Sequence, residues 1–199
     1  MGTREEILAA AARIMRTEGY ARATTKEIAR AAGYSEAALY KHFEDKTEIF
    51  LRVLDEQLPG LPALLTRLEA GSGDLRGNLE ELVVTAVRFY ADSFPISASV
   101  FSSQRLLAAH RERLHRLGGG GPRTPEELLA GYLGAEQRLG RVAADADPTA
   151  MARLLLGASF QQAFLATFSG EPLSADGLAD LARDLVGTVL GATPSDGGG

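Results

Sequence analysis

Two helix-start signals stand eleven residues apart, at Thr24 and Ser35, with Gly33 between them. Thr24, followed three positions on by Glu27, has the form of a capping box, in which each side chain satisfies a free backbone donor of the other residue. The helix it opens is predicted over Thr25–Ala32 and stops at Gly33, the residue type best able to adopt a left-handed turn. Ser35 then caps a second short helix, predicted over Glu36–Phe43. Two short helices joined by Gly33-Tyr34-Ser35 make the helix-turn-helix pattern. Upstream, Ile7, Leu8, Ala11, Ile14 and Met15 recur at helical spacing over Thr3–Glu18, and Gly19 ends that run. Ile28, Ala29, Leu39 and Phe43 are the inward-facing set that would fix the two short helices against it.

The remainder of the chain reads as helix as well. Ala (32) and Leu (29) dominate, Val and Ile together number 13, and no segment alternates apolar and polar residues at strand period. The predicted fold is all-α, with about nine helices. Asp45 caps a fourth helix through Ile49, Leu51, Val53 and Leu54, which kinks or restarts at Pro59–Pro62 because each proline removes a backbone donor. Helical spacing resumes at Ala63–Leu68, and Gly71-Ser72-Gly73 is a turn. Further helices are predicted at Asp74–Asp92, Ile96–Leu117, Pro125–Val142, Pro148–Phe168 and Ala175–Leu190. Gly118–Gly121 reads as a flexible loop and Thr193–Gly199 as a frayed tail. The expected organisation is a helix-turn-helix domain over 1–46, a larger helical domain over 47–192 and the tail over 193–199.

Composition removes several classes of function. There is no Cys, hence no disulfide framework, thiolate metal site or cysteine nucleophile. The three His (His42, His110, His115) include no His-x-x-x-His pair, and no Ser or Asp has a base partner at readable spacing, so neither a metal site nor a catalytic constellation is expected. No run of about 18 uncharged apolar residues is present, and residues 5–15 begin with two acids, so a cytoplasmic chain with no membrane partner is expected. The net charge of −5 argues against wholesale nucleic-acid binding, but residues 1–43 carry seven basic groups against five acidic ones. All three lysines, Lys26, Lys41 and Lys46, lie in the first 46 residues.

The stretch TTKEIARAAGYSEAALYKHFEDK at 24–46, preceded by an Ala-rich helix closed by Gly19-Tyr20, resembles the DNA-binding domain of the TetR family of transcriptional regulators. The matching features are Thr24-Thr25, Ile28-Ala29, Ala32-Gly33-Tyr34-Ser35 and Leu39-Tyr40-x-His42-Phe43-x-x-Lys46. The resemblance covers about residues 4–54 and implies a homodimer on a palindromic double-stranded operator. It implies a DNA-facing set of Thr25, Lys26, Ser35, Glu36, Ala37, Ala38, Tyr40, Lys41, His42 and Lys46. Thr25 would hold a phosphate at a helix N-terminus, Lys26 a base or phosphate, Tyr40 and His42 the backbone, and Lys46 a phosphate. The sequence departs from the frequent Lys-Gly-Thr and Gln-Pro-Thr patterns at the start of the recognition helix. Glu36 there either accepts from a cytosine amino group or sits turned away, favoured by the helix N-terminus, and Ala37 and Ala38 offer only apolar contact.

The resemblance also implies that the larger domain dimerises and binds a small-molecule effector, with no cofactor. Leu178, Leu181, Leu185 and Val189 form an apolar stripe on the last helix, the expected dimerisation face. The aromatic-rich helices offer Phe89, Phe94, Phe101, Arg105, Tyr132, Phe160, Gln161 and Phe164 as effector-binding residues. The functional expectation is a ligand-responsive transcriptional regulator, most simply a repressor. The alternatives are a ligand-independent activator or architectural factor of the same fold, or a small-molecule carrier with an idle DNA-binding domain.

Overall fold

A computed structural model describes residues 2–56, 60–116, 121–171 and 174–191. The readings made for Pro59, for most of the glycine loop at 118–120 and for the tail at 193–199 fall outside these residues. Among the described residues there are ten helices and no strand: α1 (Thr3–Arg22), α2 (Thr25–Ala32), α3 (Glu36–Leu39), α4 (Lys46–Glu56), α5 (Gly60–Leu65), α6 (Leu75–Phe101), α7 (Gln104–Arg116), α8 (Thr124–Arg138), α9 (Pro148–Ser169) and α10 (Ala175–Leu190). None of the described helices is long and apolar enough to cross a membrane.

The chain forms two compact units, Met1–Pro59 with Asp92–Gly121, and Gly60–Ala91 with Pro122–Gly199. The first therefore extends past the boundary expected at residue 46. Ile49, Phe50 and Val53 of α4 are fully buried in its core, beside Ile7, Leu8, Met15, Ile28 and Leu39. Ile96, Val100 and Leu106 join the same core from the second segment. Burying such side chains is worth about 1.5–3 kcal/mol each, so the long-range segment is part of what holds the helix-turn-helix in place.

Local signals set the short helices. Thr24 Oγ1 accepts from the Glu27 N–H at 3.1 Å, and the Glu27 carboxylate accepts from the Thr24 N–H at 3.2 Å. Gly33 sits in the left-handed region at φ 81°, and the Tyr34 N–H reaches back to the Ala29 carbonyl at 2.9 Å, closing α2. Ser35 Oγ caps α3 by accepting from the Ala38 N–H at 3.2 Å. α3 is shorter than the expected Glu36–Phe43: after Leu39 the N–H groups of Lys41 and His42 bond three residues back, to Ala38 and Leu39, so the helix tightens into turns. Gly19, at φ 78°, breaks α1 where the sequence places its end, and a further turn carries Tyr20 onto Phe50, ring centroids 4.8 Å apart.

Two later boundaries differ from expectation. The helices expected at Asp74–Asp92 and Ile96–Leu117 are divided instead at Ser102–Ser103, and α6 runs through Pro95. An internal proline costs about 3 kcal/mol. Here it sits among buried residues, Ser93, Ile96 and Val100, whose packing offsets that cost. Ser103 Oγ caps α7 by accepting from the Leu106 N–H at 3.3 Å. α8 stops at Arg138 rather than Val142, because Gly140 turns left-handed at φ 76° and the Arg141 N–H bonds back to the Glu136 carbonyl at 2.9 Å.

In the second unit α8 packs along α9, and α10 packs on α9. Asp147 caps α9 through the Thr149 N–H at 2.9 Å, and Ser174 caps α10 through the Gly177 N–H at 3.0 Å. Glu136 is fully buried. Its carboxylate accepts from the Gly71 N–H at 3.2 Å and pairs with Arg141 at 3.3 Å, while Arg141 Nη2 donates to the Gly73 carbonyl at 2.7 Å. This ionic clamp holds the Gly71–Gly73 turn against the end of α8.

Candidate nucleic-acid interface and cavities

The α2–α3 pair presents one polar side to solvent. Ile28, Ala29, Leu39 and Phe43 are buried as expected, which fixes the angle of α3 against α1 and α4. Lys26, Ser35, Ala37, Tyr40, Lys41 and His42 are exposed, and Thr25, Glu36, Ala38 and Lys46 are half-buried. The resemblance-derived DNA set therefore lies on and beside two adjoining helices within the first unit.

In the chain alone, Glu36 is turned toward α2. The Thr25 hydroxyl donates to Glu36 Oε1 at 2.5 Å, and the Tyr40 hydroxyl lies 3.4 Å from Thr25 Oγ1 as its donor. The carboxylate thus rests at the N-terminal end of α2, where the free N–H groups and helix dipole favour an anion. The spacing of Thr25, Glu36 and Tyr40 gave no sign of this relay, because it depends on how α3 crosses α2.

Lys46 lies 4.0 Å from the centre of the Tyr20 ring, over its face. Burial pushes its pKa below the ordinary lysine value, and Glu27 partly opposes that shift. The two hydrogen bonds from Thr24 hold the Glu27 carboxyl below its usual value.

The surface is braced from behind. Arg4 donates to both Glu56 oxygens at 2.8 and 2.7 Å, tying α1 to α4, and its guanidinium sits 5.7 Å from the Phe43 ring. The pair raises the Arg4 pKa and lowers that of Glu56. The Tyr34 hydroxyl donates to Glu6, tying the inter-helix turn to α1. The Tyr20 N–H donates to Ser99 Oγ at 3.3 Å, a link to the α6 segment of the same unit.

The expected effector residues fall in both units. Phe94, Phe101 and Arg105 belong to the first unit, and Phe101 is 76 % exposed. The other five belong to the second. Tyr132 is buried, with its hydroxyl accepting from Asn78 at 3.1 Å. Phe160 lines an open cavity of about 240 Å³ with Tyr90, Pro125, Glu126, Arg153 and Leu156. The Tyr90 ring meets both Phe89 and Phe160 edge-on, and burial raises its pKa. A larger open groove of about 440 Å³ runs between α6 and α10, lined by Glu80, Glu81, Arg88 and Arg183 among others, and by none of the eight expected residues. Arg153 and Glu126 pair at 2.7 Å across 27 positions of sequence, a separation at which no local signal exists.

Of the expected dimerisation stripe, Leu178 is 3 % exposed and is spent on its own core, while Leu181, Leu185 and Val189 are half-buried. On α9, Leu154, Phe164, Leu165 and Phe168 are 62, 48, 48 and 82 % exposed. Phe164 and Phe168 stack on one another with ring centres 6.0 Å apart.

Comparison with known proteins places this geometry. Residues 7–53 match the model of bacterial regulatory proteins, tetR family. The nucleoid occlusion factor SlmA of Vibrio campbellii is 32 % identical over 123 residues, which cover 57 % of this chain and 60 % of that protein's length. A transcriptional regulator from Rhodococcus sp. Rha1 superposes with a TM-score of 0.70 at 23 % identity, over 95 % of this chain and 96 % of that one. SmeT, the repressor of the Stenotrophomonas maltophilia multidrug efflux pump SmeDEF, does so with a TM-score of 0.65 at 21 % identity, over 94 % and 90 %. At such identities these two structures share the fold.

Proposed function

We propose, from the match of residues 7–53 to the model of bacterial regulatory proteins of the tetR family, that this chain acts as a homodimeric, ligand-responsive repressor that binds a palindromic operator. The observation that carries the reading is the α2–α3 surface, in which a buried apolar set holds Lys26 of α2 and Tyr40, Lys41 and His42 of the turns that follow α3 in solvent. One α3 reads few base pairs, so a two-fold dimer is needed to double the site, with half-sites about 34–36 Å apart. The exposed α9 residues Leu154, Phe164, Leu165 and Phe168, with the half-buried α10 residues Leu181, Leu185 and Val189, supply apolar area for that dimer. An effector in the second unit, with Phe160 and Tyr90 among its contacts, would act through different affinities for the DNA-competent and DNA-incompetent states.

The test is selection of bound sequences from a random duplex library, with affinity read against salt. A palindromic consensus, one dimer per site and a steep salt slope are expected. The double variant Tyr40→Ala/Lys46→Ala should bind at least about tenfold more weakly, as expected for loss of two phosphate contacts. Equal binding by wild type and variant would remove the DNA reading.

A second reading, a DNA-binding protein of this fold without ligand control, is favoured by one observation: a single expected effector residue lines either open cavity. Operator affinity and melting temperature that stay constant across a chemically varied ligand library would select it.

A further inference from the structure

We propose that Glu36 is a specificity-determining brake on DNA docking, an inference that rests on the DNA-binding reading above. Its carboxylate occupies, from within the same chain, the place at the start of α2 where a DNA phosphate would be held. It surrenders that place at low cost only when a base edge takes over its hydrogen bond.

Three observations carry this. First, the Thr25 hydroxyl has a single proton, and it is committed to Glu36 Oε1 at 2.5 Å. Second, Tyr40, 51 % exposed and on the far side of the same hydroxyl, directs its own proton toward Thr25 Oγ1 at 3.4 Å. The two neutral donors best placed for a phosphate are thus turned toward one another and toward a carboxylate. Third, Glu36 is half-buried on α3 and adjoins the first turn of α2, where Glu27 already supplies one carboxylate. A second carboxylate at that turn repels an incoming phosphate.

Docking therefore requires an exchange. The Thr25 and Tyr40 hydroxyls rotate toward the phosphate, and Glu36 leaves. On a duplex of arbitrary sequence the displaced carboxylate gains nothing and faces the phosphate backbone, so binding is penalised. On a site that presents a cytosine amino group in the major groove opposite α3, the carboxylate accepts from it, and the lost bond is replaced. The same residue then weakens non-specific binding and rewards one base, which compensates for Ala37 and Ala38, side chains with no hydrogen-bonding group.

The experiment compares wild type, Glu36→Gln and Glu36→Ala on two duplexes, a random sequence and the selected operator, with circular dichroism melts to establish that all are folded. Both variants should bind the random duplex about tenfold more tightly than wild type, the size of effect associated with a single base position. Their preference for operator over random duplex should fall by about the same factor or more. Replacing individual operator cytosines should weaken wild type at one symmetric pair of positions and leave Glu36→Ala unaffected there. In a Thr25→Val background, where no hydroxyl remains to be freed, the gain from Glu36→Ala on random duplex should shrink by more than half. Variants that bind random duplex no better than wild type, or that lose affinity for both duplexes equally, overturn the proposal while leaving the DNA reading intact. Failure of wild type and variants alike to bind any duplex overturns both.

Discussion

The α2–α3 surface and the second unit are built by opposite means. The hydrogen bonds on the exposed side of the first join residues fifteen positions apart or fewer: Thr24 with Glu27, Thr25 with Glu36 and Tyr40, Ser35 with Ala38. The second, besides its helix caps, is tied by bonds between residues 27 to 68 positions apart: Glu126 with Arg153, Asn78 with Tyr132, Gly71 with Glu136, Gly73 with Arg141. The first surface stands on an apolar core and its polar bonds sit on the outside, where they are free to exchange with a partner. The second unit places an ionised group fully inside, where the bond cannot be exchanged without loss. The exchange proposed above for Glu36 is better served by the first arrangement.

That contrast makes graded predictions. Phe50→Ala removes a fully buried aromatic from the core beneath the recognition surface, and should cost about 3–5 kcal/mol in a urea titration. A loss under about 1 kcal/mol would mean that the polar braces, not the core, hold the first unit. Glu136→Ala should cost about 3 kcal/mol, since it strands the Gly71 N–H and removes the partner of Arg141. Replacing Glu136 and Arg141 together by Leu should recover part of that loss; no recovery would mean the clamp stabilises by more than mutual neutralisation. Gly33→Ala meets no atom within 4 Å, so only backbone strain at φ 81° is felt, about 1 kcal/mol.

The smallest effect belongs to Arg4→Ala. Both partners of the Arg4–Glu56 pair are about one-third exposed, so the pair should be worth only a few tenths of a kcal/mol. Its pH dependence has a definite sign. The folded Glu56 pKa lies below the ordinary carboxylate value, so the contribution is present above that value and is lost as pH falls through the folded one. The stability difference between wild type and Arg4→Ala should therefore be present at neutral pH and close in acid, as read from urea midpoints at a series of pH values.

The same contrast explains what could be read from the sequence. α2 and α10 occupy their expected bounds, and Thr24, Ser35 and Asp45 each cap the helix expected of them. Caps and left-handed glycines act over a few residues, so their partners stand side by side in the chain. The break expected between Asp92 and Ile96 is absent because the local penalty of Pro95 is outweighed by burial of residues around it, a quantity set by distant packing. The orientation of Glu36 followed from the crossing of α2 and α3, not from its own spacing. In the second unit, aromatic residues at helical spacing did not reveal which would line a cavity, since Tyr132 turned inward to Asn78 while Phe164 and Phe168 faced solvent. The same periodicity describes a core, a pocket wall and an exposed stripe.

The first unit is assembled from two stretches of chain, and this bears on the order in which it is made. Its α2 and α3 are synthesised early, but Ile96, Val100 and Leu106, which complete the core behind them, come 40 to 50 residues after Glu56. At roughly 5–20 residues per second the ribosome takes about 3–10 s to supply them. During that interval Ile49, Phe50 and Val53 lack part of their covering, and the chain between the two stretches must close as a loop before the head is finished. A nascent chain stalled between residues 60 and 90 should therefore be more open to protease at α4 than one stalled well beyond Leu106. Translation itself thus withholds a finished head until the α6 segment has been made.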